Sequence, residues 1–190
     1  MRFEPTAIGD VVLILPQRLA DERGYFAETF RQNLFEQEIG KWSFIQDNQS
    51  LSKERGTVRG LHFQRGPQSQ GKLVRCVAGA ILDIAVDIRP SSRNFGQHVA
   101  VELSEANGHQ LWVPPGFAHG FCTLVPDTRV VYKVTQYYSA AHEGGVRWND
   151  PKLRISWPVS ADEAVLSAKD KVRPLFDDLV GDLMEDEASG

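Results

Sequence analysis

The sequence predicts an all-β protein, a jelly-roll β-sandwich or barrel with a few short helices, mainly C-terminal. Two observations carry this. Short runs of alternating apolar and polar residues recur along most of the chain, each closed by Gly, Pro or Asn, whereas helical spacing appears only near the C-terminal end.

Ile8 to Leu15 reads as a strand closed by Pro16, and Gly24 to Arg31 as a second, with Arg23 between them. Asn33 followed by Glu36 has the N-cap and N3 residues of a short helix that Gly40 ends, and Phe44 to Ser50 returns to a strand. Thr57 to Gln64 is a strand between Gly56 and Gly66-Pro67. Lys72–Val77 and Ala80–Ile88 follow; in the latter, Leu82, Ile84, Val86 and Ile88 alternate with Asp83, Ala85 and Asp87, which predicts one apolar face.

Val99, Val101 and Leu103 alternate with His98, Ala100 and Glu102, and Asn107-Gly108 then supplies the turn of a hairpin into Leu111-Trp112-Val113. Pro114-Pro115-Gly116 breaks that strand. Strand pattern resumes at Phe121–Val125 and again at Arg129–Tyr137, placing Val130, Tyr132, Val134 and Gln136 on one face. After Pro174, Leu175, Phe176, Leu179, Val180, Leu183 and Met184 recur at helical spacing. The acidic residues from Glu185 onward are expected to fray.

A chain of 190 residues with 42% hydrophobic and 24% charged residues is long enough for one sizeable core, so a single domain over 1–190 is expected. A formal net charge of -4 argues against polynucleotide binding, which needs a broad basic face, while leaving room for a local arginine cluster around a small phosphate ligand. Cys76 and Cys122 have neither metal-type nor framework spacing and read as reduced core thiols. The N-terminus lacks the apolar core of a signal peptide and the Val11–Leu15 run is too short to span a membrane, so a cytoplasmic protein without membrane partners is expected. Neither a Walker-type loop nor a dinucleotide fingerprint occurs, which disfavours a bound ATP or NAD cofactor.

Within RGLHFQ, Arg59 and His62 share one short strand: arginine grips phosphate, and neutral imidazole accepts protons near neutral pH. By pattern alone, a histidine on a half-buried strand is more often a core residue than a base. Gly108, Pro114, Gly116 and His119 reproduce the second motif of the cupin jelly rolls, although Thr123 stands where its later asparagine is expected. The first cupin motif is half present. Gly56 and His62 keep its spacing, Gln64 replaces the second metal histidine, and Lys72 replaces the metal glutamate seven positions before Gly79. Three or four His, Cys or carboxylate ligands make a metal site, and an ammonium among them would repel the ion. A lysine can instead stabilise an oxyanion directly, so these residues point to a metal-free site that makes and quenches an enolate.

With the further motifs QGKLVR, DIAVDIRP, FGQHVAVELS, LWVPPGFAHGF, VVYKVTQYY and WNDP, the chain from about Arg18 to Asp170 resembles the dTDP-4-dehydrorhamnose 3,5-epimerases. The resemblance implies a cupin fold, a homodimer, no cofactor, and conversion of dTDP-4-dehydro-6-deoxy-D-glucose to dTDP-4-dehydro-L-rhamnose. It implies His62 as the base at C3 and C5, Asp170 as its orienter, Lys72 as the holder of the C4 enolate, Tyr132 as the general acid, and His119 as a substrate contact. Arg23 and Arg59 match diphosphate contacts. Glu28, Gln46, Asp47, Asn48, Glu143 and Lys169 match other substrate-binding positions, and Phe26 and Tyr138 are stacking surfaces for the thymine. By residue pattern alone, Asp170 is the N3 carboxylate of a capping box opened by Ser167, Tyr132 a core residue, and Lys72 and Glu143 surface charges. Three alternatives stand beside this reading: an epimerase of C3 only or C5 only, a non-catalytic sugar-nucleotide-binding jelly roll, and a metal-dependent cupin oxygenase.

Overall fold

A computed structural model describes residues 1–188. The elements in order are β1 (Arg2–Pro5), β2 (Val12–Leu15), β3 (Arg18–Asp21), β4 (Gly24–Ala27), α1 (Gln32–Glu38), β5 (Gln46–Ser52), β6 (Val58–Gln64), β7 (Lys72–Ala78), β8 (Ala80–Asp87), β9 (His98–Ser104), β10 (Gln110–Val113), β11 (Phe117–Thr123), β12 (Thr128–Val134), β13 (Glu143–Gly145) and α2 (Phe176–Ala188). A six-stranded antiparallel sheet runs β1-β2-β10-β7-β12-β5, a five-stranded one β13-β6-β11-β8-β9, and β3 and β4 form a separate two-stranded ribbon. This is the jelly roll that the strand pattern predicts.

Three apolar layers hold the sheets. Between them lie Val74, Cys76, Leu111, Val113 and Val130 from the six-stranded sheet and Ile81, Ala85, Val99, Leu103, Phe117 and Phe121 from the five-stranded one. Outside the five-stranded sheet, Leu61, Phe63, Ile84, Val86 and Ala118 are covered by Phe176, Leu179 and Leu183 of α2. Outside the six-stranded sheet, Ile14, Leu73 and Trp112 pack against Phe35 of α1, with Phe30, Trp42 and Phe44 around them. Burying large apolar side chains on three levels is the dominant favourable term, about 1.5–3 kcal/mol for each one fully buried.

Several local expectations change in this context. The Asn107-Gly108 turn forms, with Asn107 Oδ1 accepting from the Ser104 and His109 N–H groups. It is not a hairpin, however: β9 pairs with β8, while β10 pairs with β2 and β7 in the opposite sheet, so the turn is a corner between sheets. Strand β8 is buried on both faces. Its Ile84–Ile88 face lies under α2, and the Asp83 face looks into the sandwich. The early helix begins at Gln32 with Arg31 as its N-cap and no side-chain cap, two residues before the start that Asn33 as N-cap suggests. Helix α2 runs through Ala188, past the Glu185 at which fraying is expected, because Ser91 holds Glu187 and Arg65 holds Asp182 from the body of the protein. Residues 189–190 lie outside the described residues. Among the described residues no helix is long and apolar enough to cross a membrane.

Candidate active site

A cleft of about 540 Å³ opens between the two sheets, within the range of small-molecule sites. Its lining includes Arg59, His62, Lys72, His119, Tyr132, Tyr138, Glu143 and Asp170, so eight of the residues singled out in the sequence converge there.

Strand β6 supplies Arg59 and His62. Strict alternation would put residues three apart on opposite faces. The register with β11 shifts between His119, which faces His62, and Phe121, which faces Arg59, so that three steps on β6 match two on β11. Such a bulge re-aims side chains, and here it turns both into the cleft. Arg59 is braced by Nε to Ser52 Oγ at 3.1 Å and Nη2 to the Leu51 carbonyl at 3.0 Å.

His62 Nε2 lies 2.5 Å from Asp170 Oδ1. The imidazole is 36% exposed and the carboxylate 5%. Asp170 begins a 3-10 turn, Asp170–Val172, and Ser167 Oγ both accepts from its N–H at 3.1 Å and donates to its Oδ2 at 2.9 Å. The Ser167 cap and the His62 contact therefore coexist, the first fixing the carboxylate that makes the second. Burial pushes the Asp170 carboxyl up, but the His62 hydrogen bond and charge, Ser167 and the Arg173 charge outweigh it and hold it below the usual range.

The other wall belongs mainly to the six-stranded sheet. Lys72, buried at the start of β7, donates from Nζ to the His62 carbonyl at 3.2 Å. Burial lowers its pKa to about 8, with the Asp83 charge opposing. Tyr132 on β12 is pushed up by burial, with Arg59 opposing. His119 Nε2 lies 2.8 Å from Asp83 Oδ1, and the buried Asp83 Oδ2 has no hydrogen-bond partner among the described residues. Gln64, at the lost metal-ligand position, donates to the Gln68 and Tyr137 carbonyls and accepts from the Ser139 N–H. Among the described residues no group of three or more His, Cys, Asp or Glu is placed to hold a metal ion.

At one end of the cleft Glu143 accepts from the Tyr138 hydroxyl at 2.8 Å and from Lys169 and Arg173. Burial opposes its ionisation, but these donors lower its pKa to about 2. Gln46 reaches this end through its Oε1, which accepts from the Tyr138 N–H at 3.3 Å, and its amide donates to Asn48. The remaining sequence-predicted residues are not brought into the cleft. Asp47 pairs with Lys133 at 3.0 Å, and Asp47 and Asn48 line a separate hollow of about 280 Å³ with Phe30 and Arg75. Arg23 pairs with Asp21, Glu28 pairs with Arg31, and Phe26, 69% exposed, stands on the β3–β4 ribbon. These three belong to one ribbon and its exit, apart from the cleft of their own chain.

A family profile described as dTDP-4-dehydrorhamnose 3,5-epimerase matches residues 5–178. The chain belongs to the dTDP-4-dehydrorhamnose 3,5-epimerase family. It is 53% identical over 173 residues to the dTDP-4-dehydrorhamnose 3,5-epimerase of Salmonella typhimurium, covering 90% of this chain and 93% of that protein. It is 52% identical over 174 residues to that of Sinorhizobium fredii, covering 92% and 89%. Among solved structures it resembles the dTDP-6-deoxy-D-glucose-3,5-epimerase of Legionella pneumophila in complex with dTDP-4-keto-L-rhamnose, with a TM-score of 0.90, 42% identity and 96% of each chain covered. Family membership thus agrees with the resemblance carried by RGLHFQ and LWVPPGFAHGF.

Sequence reasoning overlooked Asp83, Ser167 and Arg173 as parts of the site. Asp83 was legible only as the polar side of an alternating strand, and Ser167 as a cap; Arg173 carried no local signal.

Proposed function

We propose that the protein is a cofactor-independent, metal-free epimerase that inverts C3 and C5 of dTDP-4-dehydro-6-deoxy-D-glucose to give dTDP-4-dehydro-L-rhamnose. The observation that carries this reading is the placement of His62 with Asp170 on the five-stranded side of the cleft and Tyr132 with Lys72 on the six-stranded side. A sugar ring between the sheets meets a base on one face and an acid on the other, which is what inversion requires.

The C4 ketone acidifies the hydrogens on both neighbouring carbons. His62 takes the C3 or C5 proton, the C–H electron pair becomes a double bond to C4, and the C4 carbonyl π pair moves onto its oxygen, giving an enolate that the Lys72 ammonium stabilises. Asp170 fixes the orientation of the imidazole. The enolate then collapses, taking a proton at carbon from the Tyr132 phenol on the opposite face. His62 loses its proton to solvent and the Tyr132 phenolate regains one, restoring the site for the second centre. His119, oriented by Asp83, contacts the sugar oxygens. Arg59 binds the diphosphate, and Tyr138, Glu143, Lys169 and Gln46 form the nucleotide end. Gln64 and Lys72, standing where cupins carry metal ligands, support the metal-free reading.

Arg23, Phe26 and Glu28 lie outside the lining of their own cleft, which supports a homodimer in which the ribbon of one copy reaches the nucleotide end of the other. One domain over 1–190 and a cytoplasmic location complete the reading. Turnover in deuterated water tests it: deuterium at both C3 and C5 of the product is expected. Deuterium at only one carbon would assign the chain to single-site epimerisation instead.

A further inference from the structure

Glu143 is the hub of the nucleotide end, and what fixes it is one buried cation. Its Oε2 accepts from Tyr138 and from Lys169, its Oε1 from Arg173. The Lys169 side chain is 58% exposed and that of Arg173 only 11%. An exposed lysine, screened and entropically free, contributes little, whereas a buried, planar guanidinium holds a carboxylate in one geometry. Arg173 is itself held in place. Its carbonyl accepts from Arg147 Nε, and the Pro174 carbonyl accepts from the Arg147 N–H at 2.8 Å. Its side chain lies over Gly145, where a Cβ would come within 2.7 Å of Arg173 Nε. Gly145 pairs with His62 and Glu143 with Gln64, so the arginine covers the edge strand beside the base.

We propose that Arg173 is a positioning residue that locks the Glu143 carboxylate, and through it the Tyr138 ring, in the geometry that receives the nucleotide. Arg173 lies outside the cleft lining and reaches the nucleotide end through Glu143. The inference rests on the reading of Tyr138 and Glu143 as nucleotide contacts.

Calorimetric titration of dTDP into the full chain, with steady-state kinetics in parallel, tests it. Arg173→Met is expected to weaken dTDP binding about 10- to 100-fold, the scale on which a small misplacement of a binding group is felt. KM rises in step while kcat falls by less than about threefold. Arg173→Lys, which restores the charge without the planar fork, recovers only part of the affinity. In an Glu143→Gln background, Arg173→Met is expected to cost nothing further, because its effect passes through the carboxylate already removed. Should Arg173→Met fail to fold, Arg173→Gln carries the same expectations. Unchanged dTDP affinity in a folded Arg173 variant, or losses that multiply in the double variant, would overturn the inference. Glu143→Gln alone reports on the underlying reading: wild-type dTDP affinity in that variant would remove both.

Discussion

Gly60 and Gly120 touch through their backbones: a Cβ on Gly60 would stand 2.5 Å from Gly120 Cα, and one on Gly120 2.7 Å from the Arg59 carbonyl oxygen. Gly60 also has φ of 135°, which L side chains avoid. This contact lies at the register shift that turns Arg59 and His62 to the same side. Gly60→Ala should therefore cost about 2–4 kcal/mol in strain and overpacking and lose activity with it. Denaturant unfolding measures this; wild-type stability would mean the strands separate without penalty.

His62→Ala should lower kcat by about two to four orders of magnitude while leaving dTDP affinity near wild type, since the nucleotide contacts come from other residues. Asp170→Asn should also lower kcat strongly, because the imidazole loses the anion that orients it and balances its charge. Near-normal turnover in either variant would place the base elsewhere.

Tyr132→Phe separates abstraction from delivery. With His62 intact, the variant should still exchange the C3 or C5 hydrogen for deuterium through return to the original face, yet form little inverted product. Mass spectrometry with product analysis reads both. Equal loss of exchange and inversion would reduce Tyr132 to a positioning role.

Lys72 must be charged to hold an enolate, and burial brings its pKa down to about 8. Its ammonium is present below that pH and lost above it. The free-enzyme profile of kcat/KM should accordingly fall as pH rises through about 8. A profile flat well into the alkaline range would argue that Lys72 does not carry the enolate. The same lowered pKa makes stability rise with pH between about 8 and the unfolded value of 10.5, where the unfolded chain binds more protons.

Exhaustive chelation should leave activity unchanged. Loss with EDTA and recovery with one divalent ion would restore the metal-dependent alternative.

The sequence by itself determined the strand content, the apolar stripe of α2 and the chemical vocabulary of the site, because alternation, helical spacing and turn residues are local properties. Motif spacing grouped His62, Lys72 and His119, the family resemblance added Arg59 and Tyr132, and all five line one cleft. Only the tertiary structure decided that Asn107-Gly108 is a corner rather than a hairpin, because sheet membership depends on which distant strand offers a partner. It likewise decided that the Asp83 face of β8 looks inward: once α2 covers Ile84 and Val86, both faces of that strand are interior, and the polar one must answer His119. Asp170 reads locally as a capping carboxylate and becomes the partner of His62 only when residues 108 apart in sequence meet at 2.5 Å. Arg173 carries no local signal in the sequence, and only the fold lays it over Gly145 in a buried ion pair with Glu143.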